Sequence, residues 1–142
     1  MRAHLALALG LARDPRAERA LLILLSSGDT EERVGAARAL GTAGTSRAFP
    51  ELQRALSDAE WTVRAQAAKS LGALGATGAI HALEGGLSDT AWWVRSNCAT
   101  ALRNLGEAGL EALRRALESG DRYARDRARE ALDYASVAEG AR

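Results

Sequence analysis

The sequence predicts an all-α stack of repeated helix pairs, and three observations carry that reading. One phrase returns at a fixed interval: Arg2, Arg33, Arg64 and Arg95 stand 31 residues apart, each seven residues ahead of a leucine (Leu9, Leu40, Leu71, Leu102). A fifth copy runs from Arg125 to Leu132. A second leucine column keeps the same beat at Leu21, Leu52, Leu83 and Leu113, each with another leucine four residues on. Within a copy, apolar residues fall at helical intervals and no alternation of period two persists. A period of roughly 20 to 50 residues marks stacked supersecondary units rather than one closed core. Such a stack works through a long surface, so partners are sought before catalysts.

The units fall at about 1–26, 27–56, 57–87 and 88–118, with a final half unit at 119–142, all in one domain over 1–142. The first begins at Met1-Arg2, without the aspartate loop that leads into the later copies. The second keeps Asp29, Arg33, Leu40, Gly41 and Gly44, but its leading loop is two residues shorter, so Glu32 stands where Val63 and Val94 stand. In the third, Val63, Ala67, Leu71 and Leu74 form one helical stripe. Asp58 suits the start of that helix, where a short carboxylate accepts from free backbone N–H groups. Gly75 suits its end, as a left-handed closing residue. A shorter second helix is predicted from about Gly78 to Leu87. The fourth copy repeats the plan with Asp89, Trp92-Trp93-Val94-Arg95, Cys98, Leu102 and Gly106, followed by Leu110, Leu113 and Leu117. The fifth has the short lead-in (Gly120-Asp121, Arg125) and supplies one helix. Four pairs and a final helix make about nine helices. Alanine and glycine on the first helix of each pair permit close packing between neighbouring units.

The phrase D-x-x-W-x-V-R-x-x-A-A-x-x-L-G-x-L-G, as in Asp58 to Gly75, resembles the HEAT-like repeat of the kind first named for phycobilisome lyases. The likeness covers essentially the whole chain. It implies a right-handed α-solenoid with first helices on the convex side and second helices lining the concave side. It says less about function, because relatives include scaffolds, adaptors, chromophore lyase subunits and a few enzymes.

Composition narrows the choices. The chain has 142 residues, 47% hydrophobic and 26% charged, as in an ordinary folded soluble domain. A formal charge of +1 gives no global pull toward nucleic acid or anionic lipid. The lone cysteine, Cys98, stands in register with Ala36 and Ala67 and reads as a small buried side chain. No apolar run approaches the roughly 20 residues of a membrane-spanning helix, and the repeat register runs through the apolar start, so the cytoplasm is expected.

No catalytic or metal-binding pattern stands out. His4 and His81 are far apart, and no H-x-x-H, H-E-x-x-H or C-x-x-C occurs. HEAT-type metal hydroxylases carry paired His-Glu motifs, but Ala82 follows His81. Neither a cofactor nor a metal is expected. Arg33, Arg64, Arg95 and Arg125 recur with Asp29, Asp58, Asp89 and Asp121. We read them as a structural ladder in which each guanidinium forks onto a carboxylate or helix-end carbonyl of a neighbouring unit. The C-terminal arginines alternate with acidic residues, which makes nucleic-acid binding the least favoured reading.

Three departures from the repeat are candidates for contact. Leu7, Leu11, Leu22 and Ile23 occupy columns that are largely polar in later copies. This apolar first unit should be covered by upstream repeats, a second copy of the chain or another protein. Trp61 and Trp92 share a column, and Trp93 has no aromatic register partner. They either wedge between adjacent loops or bind, with Trp93 the better binding candidate. The second helices carry a mixed row, Pro50, Gln53 and Arg54, then His81 and Glu84, then Arg114 and Arg115. That row is the expected concave binding surface. The resulting expectation is a non-catalytic scaffold or adaptor for a protein or peptide. The alternatives are a phycobilin-lyase-like subunit that binds chromophore and carrier, and a nucleic-acid-binding repeat protein.

Overall fold

The structure is a computed structural model that describes residues 14–142. Its regular elements are all helical among those residues. We number them α1 (Pro15–Ser27), α2 (Thr30–Ala43), α3 (Phe49–Ala55), α4 (Trp61–Ala73), α5 (Ile80–Gly86), α6 (Trp92–Asn104), α7 (Gly106–Ala116) and α8 (Arg122–Gly140). Short 3-10 turns, Ser46–Ala48 and Thr77–Ala79, lead into α3 and α5. The first helix of the first unit lies outside the described residues, as do Leu7 and Leu11. None of the described helices is long and apolar enough to cross a membrane.

The helices form two layers. First helices α2, α4, α6 and α8 pack each on the next; second helices α1, α3, α5 and α7 form the other layer. The two leucine columns meet between them. Leu40, Leu71 and Leu102 from one layer and Leu21, Leu52, Leu83 and Leu113 from the other are essentially inaccessible. Burying each contributes about 1.5–3 kcal/mol, which makes this seam the main source of stability.

Helix starts follow the length of the leading loop. In the short-loop copies the aspartate is the cap itself: Asp29 Oδ1 accepts from Glu32 N–H at 2.8 Å, and the Glu32 carboxylate accepts from Asp29 N–H at 3.0 Å. This reciprocal box explains why a buried glutamate can replace the valine of the other copies. Asp121 caps α8 in a similar way, accepting from Tyr123 N–H at 2.8 Å. In the long-loop copies the expected capping role of Asp58 and Asp89 is corrected. Glu60 and Ala91 occupy the cap positions, and neither side chain bonds the helix. The two extra residues place each aspartate outside the helix, where its carboxylate accepts from the N–H two residues on, at 2.9 Å in both cases. Gly75 closes its unit in the left-handed region at φ +69°, as expected, and Gly106 does so at +76°.

The two layers differ in how neighbouring units meet. Along the first-helix layer the backbones nearly touch: a methyl group added at Gly41 would lie 2.6 Å from Ser70 Cβ, and one at Gly72 would lie 2.8 Å from Ala101 Cβ. The Ser70 hydroxyl also donates across to the Ala37 carbonyl at 2.7 Å. Between the second helices α3 and α5 lies a notch of about 750 Å³.

Candidate functional site

The arginine ladder sets the geometry of the first-helix layer. Arg33 donates through Nε to Asp58 Oδ2 at 2.9 Å and through Nη2 to Asp58 Oδ1 at 3.1 Å, while its Nη1 reaches the Gly28 carbonyl of its own unit at 2.8 Å. Arg64 repeats the pattern one unit later on Asp89, at 2.8 and 3.0 Å, with Nη1 on the Asp58 and Ala59 carbonyls. Each guanidinium thus ties its own lead-in loop to the carboxylate of the next unit. Burial alone would raise the Asp58 and Asp89 carboxyls. The arginine forks and the backbone N–H bonds outweigh it, so both lie below the ordinary carboxylate value.

The ladder changes at Arg95. Its Nη1 keeps the loop carbonyls of Asp89 and Thr90, at 2.8 and 3.1 Å. Asp121, on the shorter loop of the next unit, caps α8 and does not receive the fork. Arg95 Nε is buried with no hydrogen-bond partner, and the guanidinium stacks 4.5 Å from the centre of the Tyr123 ring instead. Arg125 donates through Nη1 to the Ser119 carbonyl of its own lead-in loop at 2.7 Å.

The ladder holds α2, α4 and α6 side by side and leaves a groove of about 640 Å³ across their exposed faces. Trp61 and Trp93 both line it, at the N-terminal ends of α4 and α6, and they are 44% and 57% exposed. Trp92 is placed differently. It meets Trp93 edge to face, with ring centres 4.8 Å apart, and lies beneath the Arg127 guanidinium at 5.5 Å. The two residues of the shared column therefore part: Trp61 faces the groove, whereas Trp92, 47% exposed, stands outside its lining against Trp93 and Arg127. Further along the helices the lining is mixed: Val34, Ala65, Ala73 and Ala101 alternate with Gln66, Asn97, Thr100 and Asn104, and it carries two cations, Arg38 and Lys69. The Asn97 amide donates to the Ala65 carbonyl at 2.9 Å, which leaves its oxygen as an acceptor.

The HEAT repeats family matches the chain twice, over residues 17–102 and 52–133. The chain belongs to the HEAT-repeat family. No curated protein sequence matches it. Among solved structures, this HEAT-repeat chain is similar to a chain in the complex of CpcE and CpcF of phycocyanin lyase from Nostoc sp., with 27% identity and a TM-score of 0.71. It is also similar to human deoxyhypusine hydroxylase in complex with glycerol (28%, TM-score 0.68) and to an engineered protein (26%, TM-score 0.56). The three alignments cover 92%, 87% and 92% of this chain, and 57%, 44% and 71% of the others. The chain thus spans little more than half of the first and less than half of the second.

The mixed row lies on the second-helix layer of this HEAT-repeat stack. Pro50, Gln53 and Arg54 line the notch between α3 and α5. Glu84 pairs with Arg115 at 3.0 Å and Arg114 with Glu107 at 2.7 Å, so much of the row is occupied with its own charges. His81 is exposed on α5. On α1, Ile23 is 57% exposed and Leu22 half-buried. The C-terminal arginines largely meet partners: Arg127 pairs with Glu130 at 2.7 Å, Arg122 with Asp126 at 3.6 Å, and Arg103 stacks on Tyr134 at 4.1 Å. No group of three or more His, Cys, Asp or Glu among the described residues is placed to hold a metal. Cys98 is buried on α6, and burial pushes its thiol up to about 12. The sequence reading missed Arg38, Gln66, Lys69 and Asn97. The signal was present, since these residues share columns with one another. It was passed over because the second helices were taken as the binding layer.

Proposed function

We propose that the chain is a non-catalytic interaction module that takes a protein or peptide segment on its first-helix face. The observation that carries this reading is the groove between Trp61 and Trp93. Two large amphipathic rings stand half out of the surface at the starts of rigid helices, above a floor of alanines interspersed with amides and hydroxyls. Exposed tryptophan at the rim of a preformed groove is the usual composition of a binding hot spot. The ladder beneath supplies rigidity, so little ordering is needed on binding. The likeness to a chain solved in complex with another protein supports a protein partner. Selection of displayed random peptides tests the reading. Binders should depend on the tryptophans and be lost in Trp61→Ala/Trp93→Ala, yet survive Arg54→Ala/Arg114→Ala on the second helices. Binders lost only in the second-helix variant would reject it.

A lyase-subunit-like role is the second reading. A pigment site calls for an apolar, partly aromatic cleft, and the first-helix groove, with its two tryptophans, Val34 and alanines, comes nearer to that than the mixed row of the second helices. It predicts an absorbance change when bilin is added, abolished by Trp93→Ala. Unchanged bilin spectra would remove this reading and leave the first one standing.

A further inference from the structure

The chemistry of the groove specifies its occupant more narrowly than "protein or peptide". None of the residues that line it is acidic, and two of them, Arg38 and Lys69, are exposed cations. Neither forms an ion pair among the described residues, and residues 1–13 contain no Asp or Glu to supply one. Lys69 is also the only lysine in the chain. In a molecule whose arginines are largely committed to carboxylates, loop carbonyls or rings, this site has positive charge to spare. Arg38 is steadied by its neighbour unit, since its Nε lies 3.4 Å from Gln66 Oε1.

Arg38 and Lys69 occupy the same register position on adjacent helices, 31 residues apart, and Gln66, Asn97, Thr100 and Asn104 line the same groove. Two neighbouring positive charges with no acidic residue beside them favour a ligand that carries carboxylates.

We propose that the groove binds an acidic peptide segment, with carboxylates on Arg38 and Lys69 and apolar side chains against Trp61 and Trp93. The inference rests on the reading of the first-helix face as the binding face. Its test uses fluorescein-labelled heptapeptides and anisotropy: acetyl-Pro-Glu-Pro-Pro-Glu-Pro-Pro and a version with lysine in place of glutamate. The first should bind saturably and the lysine peptide not at all. Arg38→Gln/Lys69→Gln should weaken the first peptide by about tenfold, the size expected for two solvent-screened ion pairs. Arg54→Gln/Arg115→Gln on the second-helix layer should leave it unchanged, and all variants should melt with the parent. Added salt should weaken binding. Equal affinity for the lysine peptide, indifference to the Arg38/Lys69 change, or no saturable binding of the first peptide overturns the proposal. The random-peptide selection separates the two claims. Binders that need the tryptophans but carry no carboxylates would leave the first-helix reading intact and sink this one, and an absence of tryptophan-dependent binders would sink both.

Discussion

Arg64 and Arg95 occupy the same register position, yet replacing them with methionine should have unequal effects. Arg64 forks onto Asp89 with both groups largely buried, at 15% and 13% side-chain exposure, and binds two loop carbonyls besides. Arg64→Met loses a charge-assisted bidentate pair, about 2 kcal/mol, and carbonyl bonds of about 1 kcal/mol, so the expected cost is about 3 kcal/mol. Arg95→Met also loses carbonyl bonds and the Tyr123 stack, together about 2 kcal/mol, but it removes a buried Nε with no partner and recovers about 1 kcal/mol. Its net cost is about 1 kcal/mol. Urea titration followed by far-UV circular dichroism reads the difference. At a slope of about 2 kcal/mol per molar, the Arg64→Met midpoint should lie about 1 M below that of Arg95→Met. Equal midpoints, or a lower one for Arg95→Met, would show that the fork onto the next unit does not govern stacking. The same ladder fixes an acid limb. Asp58 and Asp89 are held below the usual carboxylate value when folded, because the arginine forks outweigh desolvation. Their stabilisation is complete above the unfolded value, about pH 4, and is lost as pH falls through the lowered folded values. The parent should therefore weaken below about pH 4, and Arg64→Met should show a flatter response there.

Glycine-to-alanine changes at Gly72 and Gly85 should have opposite signs. Gly72→Ala drives a methyl into Ala101 and should destabilise by about 1–3 kcal/mol despite better helix propensity. Gly85→Ala meets nothing within 4 Å and should stabilise by up to about 1 kcal/mol; thermal melts of both variants check the pair. Cys98, with its thiol raised to about 12 by burial, should resist a disulfide reagent at neutral pH until urea unfolds the chain, and rapid labelling of the native protein would contradict its placement. Trp93→Ala removes a ring that is more than half exposed, so its melting temperature should fall by only a few degrees while binding to the groove is lost.

Much of this protein follows from the order of its residues. The 31-residue beat, the two leucine columns and the alanine-rich stripes fix helix pairs, their stacking and the seam that buries them, because each depends on periodicity along a single chain. Gly75 as a left-handed stop and Cys98 as a core residue were legible for the same reason. The ladder was half legible: the residue types announced a fork, but the length of each leading loop decided which aspartate caps a helix, which receives an arginine, and why Arg95 is left with an unpartnered nitrogen. The close stacking of the first helices was decided only in three dimensions. It depends on contacts between neighbouring units at Gly41 and Gly72, which no single column of the repeat contains. With that stacking came the site. Trp61 and Trp93 belong to different columns of the sequence, and only close stacking of α4 on α6 brings them to opposite parts of one groove, with Arg38 and Lys69 across its floor.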